Sequence, residues 1–151
     1  MKHIPIGKHI SSIYRHLSII LNDLFADLNI GSSQYLFLIR IADNEGITQK
    51  QLCDMIQIDR ANTQRAIQKL LQLNYIIIQE DENDKRNKRN YLTPLGHQTA
   101  HEIRKRLSTL TKTMSVGLSE QELILFMKTL EKVEKNVQDA VETIKEDKLG
   151  N

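Results

Sequence analysis

Two stretches at opposite ends of the chain carry the same apolar spacing, and that feature fixes both ends as helices. Ile6, Ile10, Ile13, Leu17, Ile20 and Leu24 are separated by 4, 3, 4, 3 and 4 residues. Phe126, Leu130, Val133, Val137, Ala140 and Ile144 repeat the series. Such a strip stays on one side of an α-helix and asks for another helix against it. Ile19, Leu21 and Phe25 widen the first strip, and Leu123 and Met127 the second. That is more apolar surface than a chain of 151 residues needs for one internal helix pair. A homodimer built from both termini is therefore expected, with an ordinary intrachain pair as the plain alternative.

The first helix is predicted from about Ile6 to Leu28, and Gly31-Ser32-Ser33 breaks it. Tyr35 to Ala42 is apolar nearly all round, which predicts a buried helix ended by Asp43-Asn44-Glu45-Gly46. Thr48-Gln49-Lys50-Gln51 is a capping box opening a short helix to about Ile56, with Leu52 and Ile56 inward and Ile58 as a buried anchor after it. Asp59 is an N-cap for a helix from Arg60 to Leu73 with Ala66, Ile67, Leu70, Leu71 and Leu73 facing inward. Asn74 suits a left-handed close. Tyr75 to Ile78 is rich in β-branched residues and predicts a strand, with Tyr91-Leu92 as its return. Between them Glu80 to Asn90 holds no apolar residue, so the hairpin has a long charged tip. Thr93-Pro94 starts a helix to about Met114, and Ser119-Glu120-Gln121-Glu122 is a second capping box opening the last one.

Charge is unevenly placed. The whole chain carries +2, yet Ser119 to Lys148 has five lysines against eight carboxylates, net −3. The remainder is therefore net +5, and Asp84-Lys85-Arg86-Asn87-Lys88-Arg89 concentrates four cations against one acid. A local basic cluster on a balanced protein points to a polyanionic partner met at one place. One cysteine excludes an internal disulfide framework and fits a reducing compartment. No apolar run approaches the roughly 20 residues of a membrane helix, and no secretory signal pattern opens the chain. A cytoplasmic protein with no membrane partner is the expectation.

Helix, turn, helix, then a basic-tipped hairpin is the order of a winged helix-turn-helix. The fold class expected is mainly α (α+β), with N- and C-terminal helices forming the dimerisation region. Residues 1–31 and 115–151 would make that region, and 32–114 the DNA-binding part of one continuous domain. The helix from Arg60 offers Arg60, Asn62, Thr63, Gln64, Arg65 and Gln68 outward, the donor and acceptor types that base edges require. Lys69 is better placed for phosphate. Arg86 at the hairpin tip would enter a minor groove. Lys85, Lys88 and Arg89 would hold flanking phosphates. Asp84 would orient Arg86 through a charge-assisted hydrogen bond. For a polar helix face or a charge run alone, simple solvation is the ordinary explanation; their succession along the chain favours DNA.

Asp84-Lys85-Arg86 followed by Leu92-Thr93-Pro94-Leu95-Gly96 resembles the D-x-R…L-T-x-x-G wing signature of the MarR (multiple-antibiotic-resistance-regulator) family. Thr48 to Leu52, Asp59 to Leu70 and Tyr75-Ile76 are similar to its helix-turn-helix, and the likeness covers nearly the whole chain in element order. The resemblance implies a homodimeric transcriptional regulator, usually a repressor, on a palindromic operator of duplex DNA. It implies Arg86 as the minor-groove arginine, Asp84 as its partner and Arg65 as a basic recognition-helix position. It also implies a small-molecule effector in a cleft, for which Tyr14, Tyr35 and Phe37 are wall candidates, against ordinary core aromatics. Asn74 departs from the usual Gly, and Asn87 to Asn90 is more charged than the pattern requires.

Cysteine and histidine residues offer chemistry of their own. Cys53 sits where a small buried residue is expected, and packing is favoured over redox sensing. His97 and His101 share a helix face with Glu102 beside them. They are weak metal candidates that would need His3, His9 or His16 from a dimer partner, so no cofactor is expected. There is no phosphate loop, nucleophile elbow or HExxH, and no enzyme is expected. The alternatives from other classes are a helical dimeric protein-binding adaptor (an anti-repressor) and a metal-responsive regulator.

Overall fold

The computed structural model describes residues 5–81 and 87–149. His3, Asp84, Lys85 and Arg86 lie outside the described residues. The chain divides into two units, residues 1–108 and 109–151. In the first, the elements are α1 (Ile6–Leu24), a 3-10 turn (Ala26–Leu28), α2 (Tyr35–Asp43), β1 (Ile47–Thr48), α3 (Gln49–Ile56), α4 (Arg60–Gln72), β2 (Ile76–Glu80), β3 (Lys88–Leu92) and the larger part of α5 (Pro94–Met114). The second unit holds the end of α5 and α6 (Glu120–Leu149). This is the mainly helical winged helix-turn-helix expected from the sequence.

The start signals act as read. Thr48 Oγ1 accepts from the Gln51 amide at 3.2 Å, and Gln51 Oε1 accepts from the Thr48 amide at 2.9 Å. Asp59 Oδ1 accepts from the Asn62 amide at 2.9 Å and caps α4. Asn74 follows α4 at φ +56°, the left-handed conformation that Asn tolerates. In the second unit the Ser119 box closes, with Glu122 Oε2 accepting from the Ser119 amide at 2.8 Å. Gly117 turns the chain before it at φ +82°.

Several boundaries move, and the strand expected at Tyr75 to Ile78 runs instead over Ile76–Glu80, taking Gln79 and Glu80 from the expected tip into the ladder. α1 stops at Leu24 rather than Leu28, because Phe25 turns fully into the core and the chain tightens into the 3-10 turn. The Leu28 carbonyl then accepts from the Tyr75 hydroxyl at 3.0 Å. The return strand starts at Lys88 rather than Tyr91, since ladder pairing uses backbone groups and needs no apolar side chain. β3 is the middle strand of an antiparallel sheet ordered β1-β3-β2. β2 lies along it from Ile76 opposite Leu92 to Glu80 opposite Lys88. On its other side β1 sets Ile47 opposite Asn90 and Thr48 opposite Arg89.

The core of the first unit holds Phe25, Phe37, Leu38, Ile41, Leu52, Leu70, Ile76 and Ile103, all fully buried. Each such side chain contributes about 1.5–3 kcal/mol by leaving water. Tyr35 packs its ring 5.3 Å from that of Phe25, and burial raises its phenol pKa. Ile56 and Ile58 are half-buried rather than enclosed.

Where α4 and β3 both run into α5, the packing is close. Thr93 Oγ1 donates to the Asn74 carbonyl at 2.7 Å and accepts from the Gly96 amide at 2.9 Å. A Cβ on Gly96 would stand 1.9 Å from the Tyr75 carbonyl oxygen, so only glycine fits. Arg106 binds α5 to the end of α1, donating to the Leu24 carbonyl at 2.7 Å and to both Asp27 oxygens at 2.6 and 2.8 Å. It also donates to Glu102 at 2.8 Å. These bonds lower the carboxyl pKa of Asp27 and Glu102 and raise that of the guanidinium.

The terminal apolar strips stay open on the single chain. Ile6, Ile10, Ile13 and Ile20 of α1 are exposed, and so are Phe126, Leu130, Val137 and Ile144 of α6. Among the described residues, no helix is long and apolar enough to cross a membrane.

Candidate nucleic-acid interface

Helix α4 carries most of the residues expected to read bases. Arg60, Asn62, Gln64, Arg65 and Gln68 are exposed, and Lys69 is half-buried. Thr63 is the correction: it is 0% exposed and belongs to the inner face. The signal was present in the sequence, because Thr63, Ala66, Ile67 and Leu70 stand at i, i+3, i+4 and i+7, one face of a helix. Among the described residues its hydroxyl finds no hydrogen-bond partner.

The exposed face is internally linked. Asp59, already capping α4, also accepts from the Asn62 side-chain amide, and Asn62 Oδ1 accepts from Arg65 Nη2 at 2.6 Å. The Asn62 amide bonds hold the Asp59 carboxyl below its ordinary pKa. Through this chain Asn62 sets the direction of the exposed Arg65 guanidinium, and the two side chains are coupled: moving Asn62 releases Arg65. Beside this chain lies a cleft of about 520 Å³ that Phe37, Ile58, Asp59, Asn62 and Arg65 help to line.

The wing residues divide. Lys88 is exposed at the start of β3. Arg89, expected on phosphate, is turned back: its guanidinium pairs with Asp81 and donates to the Gly46 carbonyl at 2.8 Å. Adjacent strand residues point to opposite faces, so two neighbouring cations in β3 cannot share one direction. The Asp81 amide donates to the Asn87 carbonyl at 2.9 Å and closes the base of the hairpin. Gly46 itself turns at φ +84°, and its amide donates to the Asn90 carbonyl at 2.8 Å. Asp84, Lys85 and Arg86 fall outside the described residues.

A second cleft, of about 670 Å³, lies where the first turns of α3 and α4 meet the hairpin base. Thr48, Gln49, Lys50 and Cys53 line it with Arg60, Asn87 and Lys88. Among the described residues its lining has three cations and no carboxylate. Sequence reasoning passed over Lys50, whose only signal was its place in the first turn of the helix before α4. Cys53 is half-buried at this cleft rather than sealed in the core.

The remaining candidates take ordinary places. His97 Nε2 lies 3.1 Å from Glu45 Oε1, which also accepts from the Leu92 amide at 3.2 Å. His101 is exposed. Among the described residues no group of three or more His, Cys, Asp or Glu could hold a metal. Tyr14 is 72% exposed on α1, whereas Phe37 is buried in the core and also helps to line the cleft beside Asn62 and Arg65.

Known proteins match this arrangement. Residues 28–87 fit the model of the MarR family. The chain is 33% identical over 138 residues to the uncharacterized HTH-type transcriptional regulator YybA of Bacillus subtilis (strain 168), covering 91% of this chain and 92% of the relative. The crystal structure of the transcriptional regulator SlyA superposes with a TM-score of 0.88 at 33% identity, covering 93% of this chain and 99% of that one. A putative MarR family transcriptional regulator from Listeria monocytogenes, crystallised with a 26mer DNA, gives a TM-score of 0.83 at 34% identity over 92% of this chain and 91% of the other. One-third identity sustained over nine-tenths of both chains, on the same succession of helices and wing, means that this chain belongs to the MarR family, whose members are transcription regulators and not enzymes.

Proposed function

We propose that the protein is a homodimeric repressor that binds a palindromic operator in duplex DNA and is released by a small molecule. The observation that carries this is the α4 face: five exposed polar residues, Arg60, Asn62, Gln64, Arg65 and Gln68, stand over a buried stripe, next to a cationic hairpin base. Those side chains are the types that pair with guanine, adenine and phosphate. The Listeria relative crystallised with DNA supports the same use here. Arg86 enters the adjacent minor groove with Asp84 orienting it, and Lys69, Lys85 and Lys88 hold phosphates. Arg89 serves this surface indirectly, by fixing β3.

The exposed strips of α1 and α6 support the dimer, since two copies would cover apolar surface that one chain leaves in water. Residues 1–31 and 115–151 then make the dimerisation region and 32–114 the DNA-binding region. Two-fold symmetry sets the half-sites about one helical turn apart, roughly 10 bp. The cleft beside Asn62 and Arg65 gives a small molecule a place from which to disturb the reading face.

Sedimentation and gel-shift measurements test this together. A dimer that retards random duplex at low salt, and selects a palindrome from fragments of the source genome, is the expected result. A monomer, or no retardation of any duplex, overturns it. For release, a compound that raises the melting temperature should also free the selected fragment; stabilisation without release removes that part.

A further inference from the structure

Of three clefts beside the helix-turn-helix, only one has cations and no acid among the described residues that line it. The cleft behind the α2–β1 turn includes Glu45 and Asp54, and the one beside α4 includes Asp59. The third brings together Lys50 from α3, Arg60 from α4 and Lys88 from β3, with no acid among the described residues that line it. Arg65, Arg89, Arg104 and Arg106 are each held by a hydrogen bond or ion pair. Among the described residues Lys50, Arg60 and Lys88 make neither. Glu80 stands opposite Lys88 in the ladder, the one carboxylate in register with this group, but does not close an ion pair with it. Lys50 and Arg60 are also first-turn residues of two separate helices, α3 and α4, so two positive helix ends converge on one space. Leaving three cations together without counterions is unfavourable unless an anion joins them.

We propose that this cleft seats the DNA backbone between recognition helix and wing, with Lys50, Arg60 and Lys88 gripping successive phosphodiesters. Lys50 is thereby a further affinity residue, contributed by the helix that precedes α4. The proposal rests on the DNA-binding reading above. The grip is indifferent to sequence, because phosphates carry none. It fixes how deeply α4 lies in its groove.

The test uses the full chain with a fluorescent random duplex across a salt series. Lys50→Gln is expected to weaken binding about fivefold at low salt, and to lower the slope of log affinity against log salt by about 0.9. Lys112→Gln, an exposed lysine at the end of α5, is the control and should change neither. Cys53 supplies an independent readout, since it lines the same space. Saturating duplex should slow its alkylation by a maleimide about tenfold, and inorganic phosphate should not. Unchanged affinity and slope for Lys50→Gln, while Arg65→Ala still weakens binding, overturns the cleft and leaves the DNA reading standing. Protection of Cys53 by inorganic phosphate as strong as by duplex would make the cleft a site for small anions and also overturns it. A wild-type chain that binds no duplex ends both.

Discussion

Helix α4 and strand β3 each carry polar and basic residues that the sequence marks for DNA, and the two regions treat them differently. On α4, five of the six residues expected to face bases do face outward, and the exception lies on the buried stripe at i, i+3, i+4 and i+7. On β3, Lys88 is open while its neighbour Arg89 is drawn into a bond with Asp81 and the Gly46 carbonyl. A helix satisfies its own backbone, so the direction of each side chain follows from local spacing. A strand is completed by other segments, and Arg89 is fixed by one that lies 43 residues earlier in the chain. Spacing and charge alone therefore predict which side chains stay open to solvent better on a helix than in a strand.

The largest expected effect falls on what the two regions share. Gly96→Ala forces a Cβ against the Tyr75 carbonyl, which joins the end of α4 to the start of α5. A loss on the order of 3 kcal/mol or more is expected, read by denaturant unfolding. An undiminished midpoint would mean that α4 and β3 are not braced at one point. Next, Arg65→Ala and Arg89→Ala should part company. Arg65→Ala should weaken binding to a selected operator about tenfold more than to random duplex, the size of one lost base contact. Arg89→Ala should cost about 1 kcal/mol of stability, discounted because its side chain is 38% exposed. It should change affinity equally on all sequences. Identical behaviour of the two variants would erase the distinction between the regions.

A smaller effect concerns the one inward residue of the α4 set. Thr63→Val removes a buried hydroxyl that lacks a partner, so stability should stay level or rise by up to about 1 kcal/mol. DNA affinity should not move; a specific loss of operator binding would return Thr63 to the reading face. The mildest effect is on acid stability. Asp27 and Glu102 are lowered first by the Arg106 hydrogen bond, Asp59 by the Asn62 amide and Glu122 by the Ser119 hydroxyl. A lowered folded pKa gives stability that is complete above the ordinary values of 3.8 and 4.5. It drains away as pH falls through the lowered ones. The melting temperature should be level from neutrality to roughly pH 5 and fall below pH 4. Asp27→Asn should make that fall shallower.

Local chemistry in the sequence determined the helices, their caps and the exposed polar face of α4. Thr48, Asp59, Thr93 and Ser119 act on amides within three residues of themselves. The apolar spacing likewise marks the faces of α1 and α6 through a repeat that needs no partner to be seen. The tertiary structure alone decided the rest. It placed Ile47-Thr48 on β3, turned Arg89 onto Asp81 and the Gly46 carbonyl, and joined Lys50 to Arg60 and Lys88 in one cleft. Each of these depends on where chain segments from different elements meet, and no residue's own propensity specifies that meeting; packing of the common core does.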